Sequence, residues 1–407
     1  MNTIFLLILI LLSAGFLADL VLDLINLNHI QPQLPKLLEG RYDSEAYCRS
    51  QSYLKENGLF GVLISTLTFA VVLVMFLAGG FTWLNTFVYT ITASPVWSAL
   101  LFFGILGFLS DLAGVPFELH SIFVIEEKYG FNKTTPKIFV VDKLKSWLLA
   151  LLIGLPLFAF IVWMYSLTGK SFWLIAWAFI SLFSILMSFF YSTLIVPIFN
   201  KQVPLGDGEL RTAIEELSSR AGFQLSRIYI INGSKRSTKA NAYFSGFGNK
   251  RRIVLYDTLI NEMTTPQILA VLAHEIGHYK KKHIIGTMIL SVLQTGVLLF
   301  LFSLVAGNPA LAKALNIAQP NFHISILVFG ILYSPLSMLT GLLFNYLSRR
   351  FEFQADAFAS DLGYKQELGD ALINLSEKNL SNLTPHPVYV FAHYSHPTLL
   401  QRLQRLT

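Results

Sequence analysis

The chain alternates long apolar runs with shorter polar, basic stretches. About 20 apolar residues suffice to cross a bilayer. The hydropathy pattern marks seven such runs, at roughly 3–25, 59–79, 97–116, 146–168, 172–199, 284–306 and 323–346. The first has no basic stretch before it and no small-residue cleavage site after it, and it is too long for a signal peptide, so it is expected to be a true span. Tyr129-Gly130-Phe131-Asn132 reads as a turn in the polar connection between the third and fourth runs. Residues 200–262 change period. GDGELRTAIEELSSRAGF puts Leu210, Ile214 and Leu217 on one helical face and stops at Gly222. RIYIIN reads as a strand, and ANAYFSGF with RRIVLYDTLI as a hairpin closing around Gly248-Asn249-Lys250. The pattern predicts an α-helical integral membrane protein with a small α+β insert.

Composition supports this. The 407 residues are 54% hydrophobic and 13% charged, against about 25% charged in soluble domains. The net charge is +6, and its distribution matters more than its size. If the seven runs all cross, 28 of the 30 Lys and Arg residues fall on one side, and only Lys170 and Lys313 on the other. Positive charge stays in the cytoplasm, which puts the N-terminus outside and the insert and C-terminus inside. The same distribution explains the basic balance without a nucleic-acid partner, for which the aromatic interleaving is missing. A single cysteine, Cys48, excludes an internal disulfide and a cysteine-rich metal site. Four carboxylates lie in or beside the apolar runs: Asp19, Asp23, Asp111 and Glu118. Acids at membrane depth face a bundle interior or an aqueous cavity. Asp111 is the best placed for that, while Asp23 and Glu118 suit snorkelling to the surface.

The chemistry concentrates in His274-Glu275-Ile276-Gly277-His278. Histidines at i and i+4 share a helix face and can hold one metal ion, with the glutamate between them reaching a water on that ion. The bland alternative is two surface histidines beside an acid. Ile268, Leu269, Val271 and Leu272 make the run helical, Thr265-Pro266 suits its start, and only Lys-Lys-Lys-His separates it from the sixth apolar run. The helix is therefore expected to continue into that span, with His283 at the boundary and not a ligand. A catalytic zinc needs a third protein ligand. The seventh run leads into LSRRFEFQADAFASDLG, where Glu352 and Asp356 are one helical turn apart. Glu352 would complete a His-His-Glu set, and Asp356 could fix a ligand histidine by accepting from its distal nitrogen. Without the histidine motif, the same stretch reads as a charged exit helix with an Arg–Glu pair. The tail offers His386, His393 and His396 as proton donor or oxyanion stabiliser, with His396 best placed by helix-start chemistry.

HEIGH and EFQADAFA, with EEKYGFNKTT, GSKRSTKANAYFSGFGNKRRIVLYDTL and YSHPTLLQRL, give the chain a close resemblance to the type I CAAX prenyl proteases over nearly its whole length. The resemblance implies a seven-helix barrel around a water-filled chamber, with one zinc ion near the cytoplasmic side. It implies His274, His278 and Glu352 as metal ligands, Glu275 as general base, Asp356 behind the ligands, His396 steadying the transition state, and Asn241, Ala242 and Tyr243 as the edge strand that aligns substrate. The expected reaction is hydrolysis near the C-terminus of prenylated CAAX proteins, releasing a tripeptide. Zinc would lower the pKa of its water, and Glu275 would take the proton and return it to the leaving amine. Two further readings stay open: a broader quality-control protease of membrane proteins, and a transporter or channel built on the intramembrane acids. Residues 1–200 are expected to form the five-span membrane region and 201–407 the metallopeptidase region. The partners expected are a peptide or prenylated C-terminus and the lipid bilayer, with no nucleic acid and no oligomer required. The compact tail, without a retention signal, suggests a bacterial inner membrane.

Overall fold

The computed structural model describes residues 2–223, 225, 227–245 and 252–406. Among these, six helical runs are long and apolar enough to cross a membrane: Thr3–Asn28, Ser44–Leu77, Pro95–Glu126, Pro136–Phe199, His283–Val305 and Phe322–Asp361. The fourth run contains two of the expected spans. It reverses at Gly169–Ser171, where Gly169 has φ +55°, a left-handed value that suits a residue without Cβ. Phe160 and Phe179, on either side of that turn, bring their rings within 4.1 Å. Leu155–Thr168 and Phe172–Phe190 therefore lie side by side as a helical hairpin.

Two of the four acids, Asp111 and Glu118, are ion-paired. Lys143 Nζ lies 2.9 Å from Asp111 and 2.8 Å from Glu118, and Trp147 Nε1 donates to Asp111 at 2.8 Å. One lysine thus serves two carboxylates, the arrangement that charge at membrane depth demands. Glu118 belongs to this cluster and is not merely snorkelling.

The insert carries a four-stranded sheet in the order β1-β2-β4-β3, from β1 (Gln202–Pro204), β2 (Arg227–Ile231), β3 (Ala242–Ser245) and β4 (Arg252–Tyr256). β3 and β4 form the expected antiparallel pair, with Ala242 opposite Leu255, while the turn expected at 248–250 lies outside the described residues. The second strand is shorter than expected. After Tyr256 the chain becomes the helix Asp257–Glu262, with Asp257 in its first turn, where an acid suits the helix dipole. β1 had no legible signal: three residues ending in proline are too short to show alternation. β3 ends the sheet and pairs only with β4 among the described residues, leaving an open edge.

The core of this region is built on Ile214, Leu217, Ile253, Leu255, Ile268, Leu272 and Ile276, with Leu372 and Leu403 from the tail and Leu38, Tyr42 and Tyr47 from the connection between the first two membrane helices. It draws on both sides of residue 200. Two anchors hold the segment before β3 against the ends of the membrane helices. Arg236 forks onto Asp142 at 2.7 and 2.9 Å and donates to Phe199 O at 2.9 Å. Lys239 pairs with Glu126 at 3.0 Å and sits 4.4 Å from the Phe131 ring centroid.

The motif helix spans Thr265–Lys280 and is opened by a capping box, with Thr264 at the N-cap, Gln267 reaching back to its amide and Pro266 in the first turn. It does not run on into the sixth span. Lys282 adopts φ 60°, and a separate helix begins at His283. This left-handed residue redirects the chain, so the two helices meet at an angle set by the break.

Candidate active site

The site forms where the motif helix packs on the C-terminal half of the long helix Phe322–Asp361. Gly277 permits the approach. A Cβ there would lie 3.0 Å from Ala355 Cα and 3.1 Å from its carbonyl oxygen. The third helix of the site, Leu399–Leu406, buries Leu399, Leu403 and Leu406 and brings Arg402 in with them.

His274, His278 and Glu352 converge, each offering one atom within 4.8 Å of the others. The two Nε2 atoms are 3.2 Å apart, and Glu352 oxygens lie 3.4 Å from His274 Nε2 and 3.2 Å from His278 Nε2. Ligands at about 2.0–2.1 Å from one tetrahedral centre are separated by about 3.3 Å, so this donor set fits a single metal ion. His274 and Glu352 are buried.

Each histidine is held by its other nitrogen. His274 Nδ1 donates to Asp356 Oδ1 at 2.7 Å. Asp356 in turn receives the Arg402 guanidinium through Nε at 2.9 Å and NH2 at 2.5 Å. His278 Nδ1 is 3.1 Å from His283 Nδ1, and His283 Nε2 is 2.8 Å from Gln354 Oε1, with the His283 ring stacked on Phe351 at 4.2 Å. Burial pushes the His274 imidazole down, but Asp356 and Glu352 on its two sides more than reverse this and lift it to about 9. Burial pushes the Glu275 carboxyl up.

His283 and Arg402 are the functional neighbours that sequence reasoning missed. His283 was assigned to the helix boundary, and only the break at Lys282 turns it back onto His278. Arg402 did leave a signal: it lies on the leucine face of its helix, and a cation there needs a buried acid.

Of the three tail histidines, the structure brings in His396, whose Nε2 lies 3.3 Å from Glu352 while its side chain remains 65% exposed. His386 caps the helix Pro387–His393, and His393 packs on Tyr389. Glu275, His278, Glu352 and His396 share a cavity of about 590 Å³ with Tyr243. Ser181, Ser184, Ser188, Thr287, Ser291 and Thr295 extend its lining along two membrane helices. Asn241 and Ala242 are not in that lining: Asn241 Oδ1 accepts from its neighbour Ala242 N at 2.8 Å, starting the strand.

These features coincide with two family profiles, "CAAX prenyl protease N-terminal, five membrane helices" over residues 24–201 and "Peptidase family M48" over residues 204–407. The chain is 36% identical to CAAX prenyl protease 1 of Saccharomyces cerevisiae, over 92% of this chain and 89% of that one. It belongs to the CAAX prenyl protease 1 family of M48 peptidases. The human CAAX prenyl protease 1 homolog is 31% identical over 93% of this chain and 88% of its own length. The crystal structure of S. mikatae Ste24p superposes with a TM-score of 0.95 at 35% identity, covering 100% of this chain and 99% of that one. The fold class is therefore that of this membrane peptidase family, and the enzyme is a metalloendopeptidase. The chain is a multi-pass membrane protein. The expectation of a bacterial inner membrane finds no support, because the family members matched are eukaryotic. A compact tail is a weak guide to source, since family members differ in length outside the shared core.

For this M48 peptidase, Asp356→Ala should leave the buried Arg402 with only Glu352, 3.6 Å away, and free the His274 ring. Metal affinity should fall about 10–100-fold, and stability by about 1–3 kcal/mol for the buried hydrogen bonds lost. Metal titration and thermal melting check this, and near-wild-type affinity would refute it.

Proposed function

We propose that the chain is a zinc-dependent endopeptidase that cuts near the C-terminus of prenylated CAAX-type substrates and releases the terminal tripeptide, as the names of its relatives suggest. One observation carries the reading: a single cavity joins the histidine motif, Glu352, His396 and the edge-strand residue Tyr243, and continues between membrane helices. A membrane-anchored substrate can enter such a site without leaving the bilayer. The domain division at about residue 200 is consistent with the two profile matches. The one-sided lysines and arginines support a cytoplasmic active site.

His274, His278 and Glu352 would hold the ion, and two imidazoles with one carboxylate favour zinc. When bound, the ion supplies Lewis acidity that activates water and polarises the scissile carbonyl. Glu275 takes the proton from the attacking water and passes it to the leaving amine. His396, exposed at the cavity, donates toward the developing oxyanion. Asp356, clamped by Arg402, and His283 keep the two ligand rings oriented. The open edge of β3, with Asn241, Ala242 and Tyr243, receives the substrate as an added strand.

A farnesylated CAAX peptide should be cleaved with kcat/KM at least about tenfold above an unprenylated peptide of equal length. Burying two methylenes, at about 0.8 kcal/mol each, already exceeds the roughly 1.4 kcal/mol of a tenfold change. Equal cleavage of both peptides would overturn the prenyl-directed reading in favour of broader quality control.

A further inference from the structure

A second cavity, of about 680 Å³, lies on the outer side of the long helix, away from the peptidase cavity. It is lined by Tyr346, Arg349, Arg350, Phe353, Gln354 and Ala357 of that helix and by Gln401, Gln404 and Arg405 of the C-terminal helix. Three arginines line it and no described carboxylate does. Their neighbours are not acids. Arg349 donates to the carbonyls of Val390 and Tyr394, Arg350 lies 5.9 Å from the Tyr346 ring, and Arg405 lies 3.5 Å from the Phe353 ring. Among the described residues none of the three forms an ion pair with a carboxylate.

The position of the cavity identifies its ligand class. Leu339, Leu343 and Tyr346 are 64%, 52% and 48% exposed. They recur at intervals of four and three residues, so they form one stripe along the long helix. The next position on that stripe is Arg350, followed by Gln354 and Ala357, which are exposed too. An apolar, lipid-facing stripe thus runs straight into the arginine cavity. The level is that of the membrane surface: Tyr346 stands where the apolar sequence ends, and Val388 and Phe391 on the adjacent short helix are 50% and 55% exposed. Basic pockets at this depth attract anionic headgroups, and arginine forks suit phosphate oxygens.

We propose that this cavity binds the phosphate-bearing headgroup of an anionic membrane lipid, whose acyl chains lie along the Leu339–Leu343–Tyr346 stripe. Arg350 and Arg405 grip the headgroup, and Arg349 supplies charge from its tethered position. Gln354 also lies 2.8 Å from His283, beside the metal centre, but no metal ligand lines this cavity, so its failure would leave the peptidase reading standing.

The test uses the purified full chain in detergent micelles with added phosphatidylserine or phosphatidylcholine. Phosphatidylserine should raise the thermal midpoint by several degrees more than phosphatidylcholine and should form a persistent adduct in native mass spectrometry. Arg350→Gln with Arg405→Gln should abolish that difference while leaving the midpoint in phosphatidylcholine unchanged. Lys137→Gln with Lys170→Gln, exposed charges outside the cavity lining, should keep it. In the wild-type chain, phosphatidylserine should slow amide exchange over 346–357 and 399–406. This measurement does not depend on any variant folding. Equal response to the two lipids, a retained difference in the arginine variant, or unchanged exchange would each overturn the proposal. Inorganic phosphate alone should not reproduce the midpoint shift, and if it does, the cavity is a soluble-anion site and the lipid assignment fails.

Discussion

Glu275→Gln should lower kcat by about 10³-fold or more while the chain keeps about one metal ion, because general-base catalysis by a positioned carboxylate contributes about 10²–10⁴-fold and the metal is held by other residues. Glu275 sits beside His274 on the motif helix and lines the peptidase cavity. No described side chain hydrogen-bonds to it. Its carboxyl is raised by burial, which makes it a better proton acceptor than an exposed glutamate. The amide of glutamine has nearly the same shape and cannot take a proton. Turnover of a fluorogenic peptide and metal analysis of the same preparation measure both halves. Activity within tenfold of wild type would remove Glu275 from the mechanism.

Glu352→Ala should empty the site, with metal content falling well below half an ion per chain and hydrolysis lost with it. Glu352 is the point at which the site closes: its oxygens lie 3.2–3.4 Å from both histidine Nε2 atoms, and 3.3 Å from His396 Nε2. With it gone, two imidazoles are left, one fewer than a catalytic metal usually has. The metal-free protein also makes a pH prediction. His274, lifted to about 9 by its two carboxylates, must give up the Nε2 proton when an ion binds. Metal affinity should therefore rise with pH up to about 9 and fall as the solution is acidified, with protons released on binding. Equilibrium dialysis across pH tests this, and full metal content in the alanine variant would refute the ligand assignment.

Much of this was legible in the chain because the relevant signals are local. A stretch of 20 apolar residues declares a span whatever its neighbours do, since every backbone polar group in lipid must be satisfied within the helix. The helical spacing of His274 and His278, and of Glu352 and Asp356, is set by the 3.6-residue turn. Composition established the membrane class, and the motif together with the acid pair established the candidate metal set. The strands β2, β3 and β4 followed from their alternation and turn residues.

The tertiary structure decided what depends on distant residues meeting. Helix-start chemistry favours His396 over His386 and His393 without giving it a partner; the docking of the tail against the long helix sets it beside Glu352. The left-handed turn at Lys282, against the expected continuous helix, swings His283 onto His278. Gly277 is an ordinary helical glycine until Ala355 is packed against it. Arg402 finds Asp356 across 46 residues, and Lys143 reaches both Asp111 and Glu118 on the neighbouring helix. Periodicity along the chain determines which face each element presents. Which faces meet is settled by packing volume and charge pairing between elements, and these have no period to read.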